Sequence, residues 1–407
     1  MRRFAGRFVM ILIVSVTIPA QDVWPVGRHR VVLDTPGGPL PFGLLLDGVE
    51  GRLKAWVLNG PEKIEVPEVS WGKQIVLSFT HYDSKITLDV DEQNHRLTGV
   101  WEKRRSGKDT KMSLVTDDHR RRFRPRVASG KVAGWITGRW AVDFASSADP
   151  SVGVFKLAAD RRTCTGTFLT TLGDYRYLAG VAFGDLVRLS CFDGAHAFLF
   201  HARRQPDGTL QGDFWSSNTW HEKWAAKRDS DAALPDGFKL TKWSANADLG
   251  KARFRDLDGK LRSLNDASFR GQARIIEVFG TWCPNCHDHG AYMADLHRRY
   301  GKKGLSVVGL AFEHTDDHAR SVRQVRRFMK RHGGSFPVLV AGLSDKKKAT
   351  AQLGLLDRVR SYPTTIFIGK DGTVRGVYQG FSGPASGPDH QRLKERFEAL
   401  IERILAE

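Results

Sequence analysis

Cysteine is scarce in this sequence of 407 residues, and long apolar runs are missing beyond its N-terminal segment. The four cysteines are too few to be the main scaffold of so long a chain, which excludes the class of small disulfide-stapled domains. No further run reaches the roughly 20 apolar residues that a membrane-spanning helix needs. Hydrophobic residues make up 41% of the chain and charged residues 27%, which is typical of globular domains with a sizeable core.

The first residues have the layout of a secretory signal peptide. Arg2, Arg3 and Arg7 form a positive segment, a short apolar stretch follows, and Ala20 is suitable for cleavage. No cysteine follows the apolar stretch, which argues against a lipid-anchored lipoprotein. We therefore predict a signal peptide over residues 1–20 and an exported protein of the periplasm or cell envelope. An uncleaved N-terminal anchor is the alternative.

Acidic residues are outnumbered, because 45 Asp and Glu face 63 Lys and Arg and leave a formal net charge of +18. The densest basic run is HRRRFRPR at 119–126, within a segment 119–133 that we interpret as a solvated linker. A nucleic-acid-binding protein would use such a run as an electrostatic footprint. For an exported protein we predict no nucleic-acid partner, and peripheral contact with anionic lipid is the open alternative.

The spacing of turn signals in the first half of the chain is typical of an all-β structure. Short alternating runs are separated by turn signals such as Leu-Gly-Asp and Pro-Asp-Gly, and about 8–12 residues between turns indicate a sandwich or barrel. We predict two β-rich units, 28–118 and 134–228. Residues 75–101 and 187–215 share aligned Leu-Ser, aromatic-Asp and Leu-x-Gly positions, so we also predict an internal repeat.

Two of the cysteines, Cys164 and Cys191, lie in the second β-rich unit. Each is in phase with apolar neighbours, so both side chains are expected to point inward. In a simple meander another strand would lie between them, and two strand spacings of about 10 Å exceed the reach of a disulfide. The pattern favours two buried free thiols, and a bridge is the alternative.

The predicted secondary structure changes after a connecting segment at 229–245. From 246 to 407 strands and helices alternate, with a buried strand over 273–280 and a helix over 284–300. Further strand–helix pairs, a hairpin and an amphipathic closing helix follow. This order predicts an α/β domain whose mixed sheet is covered by helices on both faces.

The string Cys-Pro-Asn-Cys-His, residues 283–287, lies between that strand and that helix. A C-x-x-C pair is typical of a redox dithiol, and C-x-x-C-H is also the attachment site of a c-type haem. A helix N-terminus favours an anion, so we expect the leading Cys283 to form a thiolate readily. Cys283 would attack a substrate disulfide, and Cys286, about one turn on, would resolve the mixed disulfide by closing a Cys283–Cys286 bond.

The string FGTWCPNC, with RSYPTTIFIGKDG about 80 residues downstream, resembles the thioredoxin superfamily and closely its TlpA-like exported branch. The likeness covers about residues 246–407. It implies a thioredoxin-like fold, a redox-active disulfide between the paired cysteines, and a cis bond before Pro363 beside the dithiol. It also implies that Trp282, Tyr362 and Pro363 contact the substrate.

Glu277 lies six residues before Cys283, at the position where cytosolic thioredoxins carry a buried acid. Its apolar neighbours in the run IIEVF are expected to raise the pKa of its carboxyl, which could then accept the proton of Cys286. A position at a sheet edge, or a contact with a basic partner, is the alternative.

Other chemistries at this motif are disfavoured by its surroundings. A haem would need a mainly helical domain and a distal ligand in addition to His287. Copper or zinc could use His287 and His289 with the thiolates, but two histidines on the first helical turn point apart, so we interpret them as solvent-facing groups that tune the thiol pKa. A peroxidase of the peroxiredoxin kind would have Thr where Gly280 stands. No metal and no cofactor are predicted.

The sequence therefore predicts an exported thiol–disulfide oxidoreductase that reduces disulfides of partner proteins and receives electrons from an upstream donor. The β-rich half shows no catalytic constellation, and we interpret it as a docking or dimerisation module that presents the dithiol to a partner. A β-domain binding or scaffold protein with a regulatory dithiol, or a redoxin-type peroxidase, are the alternative functions.

Overall fold

The computed structural model of the chain describes residues 24–105, 108–117, 122–123, 134–160, 163–269 and 272–407. The predicted signal peptide and most of the predicted basic linker lie outside these residues. The described part of the chain contains three β-sheets, of which the third carries the α-helices. No helix in the described ranges is both long and apolar enough to cross a membrane.

The first sheet is an open antiparallel sheet of nine strands. Its strands are β1 (Gly27–Thr35), β2 (Gly38–Asp47), β3 (Lys54–Asn59), β4 (Glu62–Glu65), β5 (Glu68–Trp71), β6 (Ile75–Phe79), β7 (Ser84–Asp91), β8 (Arg96–Arg105) and β9 (Lys108–Asp117). The runs β1–β4 and β5–β9 meet where β1 pairs with β9. Alternate side chains such as Leu33, Leu77 and Trp101 are buried, as expected of strands with one covered face.

The second sheet closes into a barrel. Its strands are β10 (Gly138–Phe144), β11 (Ser151–Leu157), β12 (Thr163–Thr170), β13 (Gly173–Asp174), β14 (Leu178–Phe183), β15 (Leu186–Phe192), β16 (Ala197–Arg204), β17 (Leu210–Ser216) and β18 (Trp220–Arg228). Strand β11 pairs with both β10 and β12, so eight strands form a closed ring and the two-residue β13 extends β12. Closure removes the exposed edges that an open sheet would leave.

The open sheet and the barrel share a core. Phe192, Ala197 and Leu199 of the barrel complete the apolar cluster of the open sheet, and the rings of Phe42 and Phe192 stack 4.4 Å apart. The side-chain amide of Asn59 donates to the Phe192 carbonyl oxygen at 2.7 Å. The two β-rich units therefore support each other rather than packing as independent bodies.

Two expectations about the β-rich half are corrected or left without support. Of the segment predicted as a solvated linker, Arg122 and Phe123 are described, and neither is solvated: Phe123 is buried, and Arg122 donates to Ser190 Oγ at 2.9 Å and Asn59 Oδ1 at 2.9 Å. The predicted internal repeat finds no confirmation, because residues 75–101 belong to the open sheet whereas 187–215 belong to the closed barrel.

The third sheet has a thioredoxin-like arrangement. Its elements are β19 (Arg253–Asp256), β20 (Leu261–Ser263), β21 (Ala273–Phe279), α1 (Pro284–Tyr300), β22 (Leu305–Glu313), α2 (His318–His332), β23 (Val338–Leu343), α3 (Lys346–Leu353), β24 (Thr364–Ile368), β25 (Val374–Gln379) and α4 (Pro388–Ala406). The strand order is β20-β19-β23-β22-β21-β24-β25, with β21, β22 and β23 parallel. Every residue of β21 and β22 is buried, so both faces of the sheet are covered. The predicted α/β domain is confirmed.

The connecting segment at 229–245 packs against this third sheet. Phe238 and Trp243 contact its apolar core, and Trp243 forms an isolated bridge with Leu356. The connection between the barrel and the α/β domain is therefore held in place by apolar contacts.

Cys164 and Cys191 are both free and buried in the barrel. Strand β14 lies between their strands β12 and β15, which agrees with the separation expected from the sequence. Burial raises the pKa of Cys164 to about 12 and also raises the pKa of Cys191. Neither thiol is therefore ionised at neutral pH.

We expect iodoacetamide to leave Cys164 and Cys191 unmodified in the folded protein, because alkylation needs an accessible thiolate. Peptide mass spectrometry after alkylation checks this, with a urea-unfolded sample as the control in which both are modified. Modification of either thiol at the same rate in folded and unfolded protein would contradict the buried assignment.

Candidate active site

The paired cysteines lie where β21 leads into α1. Cys283 occupies the position before the first helical residue and Pro284 is the first residue of α1, where a missing N–H costs no hydrogen bond. The Cys283 side chain is half-buried, whereas Cys286 is 0% exposed. Only the first of the two sulfurs is therefore reachable from solvent.

The two thiols differ in acidity as well as in exposure. The hydrogen bond from the Cys286 thiol lowers the pKa of Cys283, and the backbone N–H groups of Cys286 and Asn285 lower it further. Burial raises the pKa of Cys286 well above its ordinary value, and the nearby Glu277 carboxylate adds to that rise. The reachable sulfur is the one that ionises first, as a helix N-terminus favours.

Tyr362 and Pro363 lie directly beside the half-buried sulfur. The bond between them is cis, as the family resemblance implies. The Cys283 sulfur is 3.4 Å from the carbonyl oxygen of Tyr362, and the Tyr362 hydroxyl donates to the Ser344 carbonyl oxygen at 3.2 Å. The structure thus brings Pro363 and Tyr362, which are far from the dithiol in sequence, to the same edge of the sheet.

Trp282 forms an aromatic wall next to the cysteines. Its indole N–H donates to the Phe312 carbonyl oxygen at 2.9 Å, and its ring stacks on His314 at 4.4 Å. The ring of Tyr362 meets it edge-on at 5.5 Å. These contacts fix the indole at the rim of the site rather than over open solvent.

Glu277 is fully buried and has a basic partner. Its Oε1 is 2.7 Å from Nδ1 of His289, which is also fully buried, and Nε2 of His289 is 2.9 Å from the Thr365 hydroxyl. Within the described residues, the second carboxylate oxygen of Glu277 has no hydrogen-bond partner. The basic partner that was the alternative for Glu277 is therefore present, and one oxygen stays available.

The expectation that His287 and His289 face solvent is wrong. His289 is 0% exposed, because it packs inside the α/β domain, where its ring meets Phe381. His287 is 6% exposed, because Tyr82 and its neighbour His81 cover it at ring distances of 5.3 Å and 5.0 Å. This covering comes from the turn between β6 and β7, far away in sequence, so no helical pattern could reveal it.

The contacts of His287 define its tautomer. Its Nε2 donates to the Thr281 carbonyl oxygen at 2.8 Å, so its Nδ1 must accept from Nε2 of His332 at 2.7 Å. Burial lowers the pKa of His287 well below its ordinary value. Among the described residues, no group of three or more His, Cys, Asp or Glu side chains is placed to hold a metal ion.

The barrel reaches the dithiol loop directly. The Asn285 side chain, between the two cysteines, donates to the Asp174 carbonyl oxygen at 3.3 Å. Gly173 has a φ of 143°, and a side chain there would collide with Asn285. On the other side of the turn, Gln379 donates to the Thr171 carbonyl oxygen at 2.8 Å. The turn between β12 and β13 is thus part of the rim of the site.

Comparison with known proteins places this site in a family. Residues 237–377 match the AhpC/TSA family. The thiol–disulfide oxidoreductase ResA of Bacillus anthracis is 32% identical over 150 residues, which cover 37% of this chain and 72% of ResA. The chain belongs to the TlpA-like thiol–disulfide oxidoreductases of the thioredoxin superfamily.

Two further similarities of this thiol–disulfide oxidoreductase concern the same part of the chain. The thioredoxin-like protein YneN of Bacillus subtilis is 30% identical over 126 residues, covering 31% of this chain and 66% of YneN. A thioredoxin-family thiol:disulfide interchange protein from Chlorobium tepidum is 24% identical and covers 38% of this chain and 92% of its own, with a TM-score of 0.29.

One residue of this oxidoreductase site was missed by sequence reasoning. Glu313, at the end of β22, accepts from the backbone N–H of Thr281 at 2.9 Å and from its hydroxyl at 2.7 Å. Burial raises the pKa of Glu313 to about 7, although the Thr281 hydrogen bonds pull it down. The acid in LAFEHT, at the end of an apolar strand beside the motif strand, is the signal that could have indicated it.

Glu313 makes the stability of the oxidoreductase depend on pH. The unfolded carboxyl releases its proton near the ordinary value of 4.5, whereas the folded one keeps it to about 7, so stability is lost as the pH rises through about 7. Relative to Glu313→Gln, which mimics the protonated acid, we expect the wild-type free energy of unfolding to fall by about 2–3 kcal/mol between about pH 5 and pH 9.

Urea unfolding of both proteins across that range measures the difference. Glu395→Gln, which changes an exposed carboxyl on α4, is the matched control and should give no such trend. Parallel curves for wild type and Glu313→Gln would show that the folded state does not hold the proton.

Proposed function

We propose that this enzyme is exported and uses the Cys283–Cys286 dithiol to reduce disulfides in partner proteins. The observation that carries the proposal is the asymmetry of the two thiols: Cys283 is half-buried with a lowered pKa, and Cys286 is fully buried with a raised one. An attacking thiol needs access and ionisation, and a resolving thiol needs protection until the mixed disulfide has formed.

The reaction has two exchange steps. The Cys283 thiolate attacks one sulfur of the partner's disulfide, so a Cys283–partner bond forms and the other partner sulfur leaves as a thiolate. Cys286 then loses its proton and attacks the Cys283 sulfur, which closes the Cys283–Cys286 bond and releases the second partner thiolate. The partner gains two electrons and the enzyme loses two, which an upstream dithiol donor must restore.

Glu277 is the group that we propose accepts the proton of Cys286. Its unpartnered Oε2 and its electrostatic effect on Cys286 support this role. The hydrogen bond to His289 holds the carboxylate in one orientation through its other oxygen. Proton removal by a buried acid would make the second exchange step possible without opening the site to water.

Substrate contact is proposed for Trp282, Tyr362 and Pro363. The Tyr362 carbonyl oxygen lies 3.4 Å from the Cys283 sulfur, so backbone of this segment borders the position that a partner's sulfur must reach. An extended partner segment could pair with this backbone while Trp282 limits the other side.

The β-rich half is proposed as a docking module for the partner protein. Leu172, at the tip of the turn between β12 and β13, is 42% exposed. The same turn contacts Asn285 of the dithiol loop and packs on Gly380, whose N–H donates to the Pro363 carbonyl oxygen at 3.0 Å. A partner that reaches Cys283 would therefore meet this turn.

Cys283→Ser should abolish reduction of insulin disulfides, because no other accessible thiolate is present among the described residues. Cys286→Ser should instead accumulate a mixed disulfide between Cys283 and the partner, seen by non-reducing electrophoresis. Cys164→Ala, in the barrel core, is the control expected to keep turnover. Full activity of Cys283→Ser, or an inactive wild type, would refute the proposed function.

Leu172→Asp should lower kcat/KM for insulin by about tenfold, since an interface contact is worth about 1.4 kcal/mol, and leave reduction of a small aromatic disulfide unchanged. Leu261→Asp is the matched control, because Leu261 is also exposed but lies on β20 at the opposite edge of the sheet from β25. Equal losses in both variants, or on both substrates, would argue against docking by the turn.

A further inference from the structure

Arg176 connects the barrel to both the open sheet and the α/β domain through one buried side chain. It follows β13 in the barrel, and its guanidinium forms ion pairs with Asp288 of α1 and, at 2.6 Å, with Glu62 of β4. The side chain is only 10% exposed. A single cation thus joins the open sheet, the barrel and the helix that begins with the dithiol.

The backbone around Arg176 is built to hold it there. Its φ is 60°, a left-handed conformation that is uncommon for residues other than glycine. The Asp174 carboxylate accepts from the Arg176 backbone N–H at 2.9 Å and from the Gly383 N–H at 2.6 Å. The Asp174 carbonyl oxygen accepts from Asn285. The segment that presents Arg176 is therefore fastened to the loop between the cysteines.

The Arg176 guanidinium is surrounded by more carboxylates than cations. Burial alone would lower the pKa of the guanidinium, but the carboxylates of Asp288, Glu62, Asp193 and Asp174 outweigh it and raise the pKa. Burial raises the pKa of Asp288 to about 7 despite Arg176. The cation is permanent, whereas its partner on α1 changes charge near neutral pH.

The Arg176 guanidinium lies near the start of α1, because its partner Asp288 is five residues after Cys283, the cap residue of that helix. The hydrogen bonds from Cys286 and the backbone lower the pKa of Cys283 most, and the Arg176 cation lowers it further. On the α/β domain itself, Tyr362 and the Lys346 cation also interact electrostatically with Cys283. Arg176 is thus an influence that reaches the sulfur from a different domain.

We propose that Arg176 is a positioning residue of the redox site that acts across the domain boundary: held by Asp288 and Glu62, its guanidinium stabilises the thiolate of Cys283. This inference rests on the proposed role of Cys283 as the attacking thiol. Stabilising the thiolate stabilises the reduced dithiol. Arg176 therefore raises the reduction potential of the cysteine pair above the value it would have in the α/β domain alone.

The test compares Arg176→Met with Arg139→Met in the full-length protein. Arg139 also joins the barrel to the α/β domain, through Asp389 at 2.6 Å, so it controls for loss of an interdomain ion pair. For Arg176→Met we expect Cys283 alkylation at about pH 7 to slow by about tenfold. The reduction potential should become more negative by about 30 mV, the equivalent of that factor for a two-electron couple. Arg139→Met should leave both values unchanged.

Two further variants separate electrostatics from folding. Arg176→Lys keeps the cation and should restore most of the alkylation rate. Asp288→Asn removes a negative charge, while the Asn oxygen can still accept from Arg176 and Glu62 still holds the guanidinium. This variant should therefore speed alkylation, the opposite direction to Arg176→Met, whereas general damage to the site would move both the same way. Same-direction shifts, or an Arg176→Met protein that matches wild type, would overturn the inference. A wild-type Cys283 that alkylates no faster than free cysteine would overturn the proposed function as well.

Discussion

The junction between β21 and α1 imposes the constraint on which the site depends: a sulfur must carry negative charge at the edge of a closely packed domain. Burial disfavours that charge, and the helix N-terminus and the Cys286 hydrogen bond oppose the cost. The junction is fixed from several sides, because Glu313 and His287 hold Thr281, and Asp174 holds Asn285. Each contact limits the movement of the loop that carries the Cys283 sulfur.

The β-rich half helps to hold the junction between β21 and α1 in place. The barrel places Asp174 and Arg176 against α1, and the open sheet places His81 and Tyr82 over His287. Both groups are polar or ionisable, whereas a passive spacer would need only apolar contact. The oxidoreductase site of this chain is therefore assembled from three sheets, although the family match covers only the last of them.

What the sequence could predict follows from the range of the interactions. The dithiol, the helix 284–300 and the α/β order depend on local patterns, and the structure has them at the expected residues. Barrel closure depends on the pairing of β11 with β12, which alternation alone does not distinguish from an open sheet. The histidines were misplaced, and Glu313 missed, because their environment comes from residues distant in sequence.

The shared guanidinium of Arg176 has a thermodynamic consequence. If the cation stabilises the thiolate, then by reciprocity the thiolate must strengthen the hold of the cation on its surroundings. In the dithiol form the α/β domain would then bind the barrel more tightly than in the disulfide form, in which the sulfur carries no charge. Oxidation of the dithiol would thus weaken the contact between the barrel and the α/β domain, and the reduced enzyme would be more rigid than the oxidised enzyme.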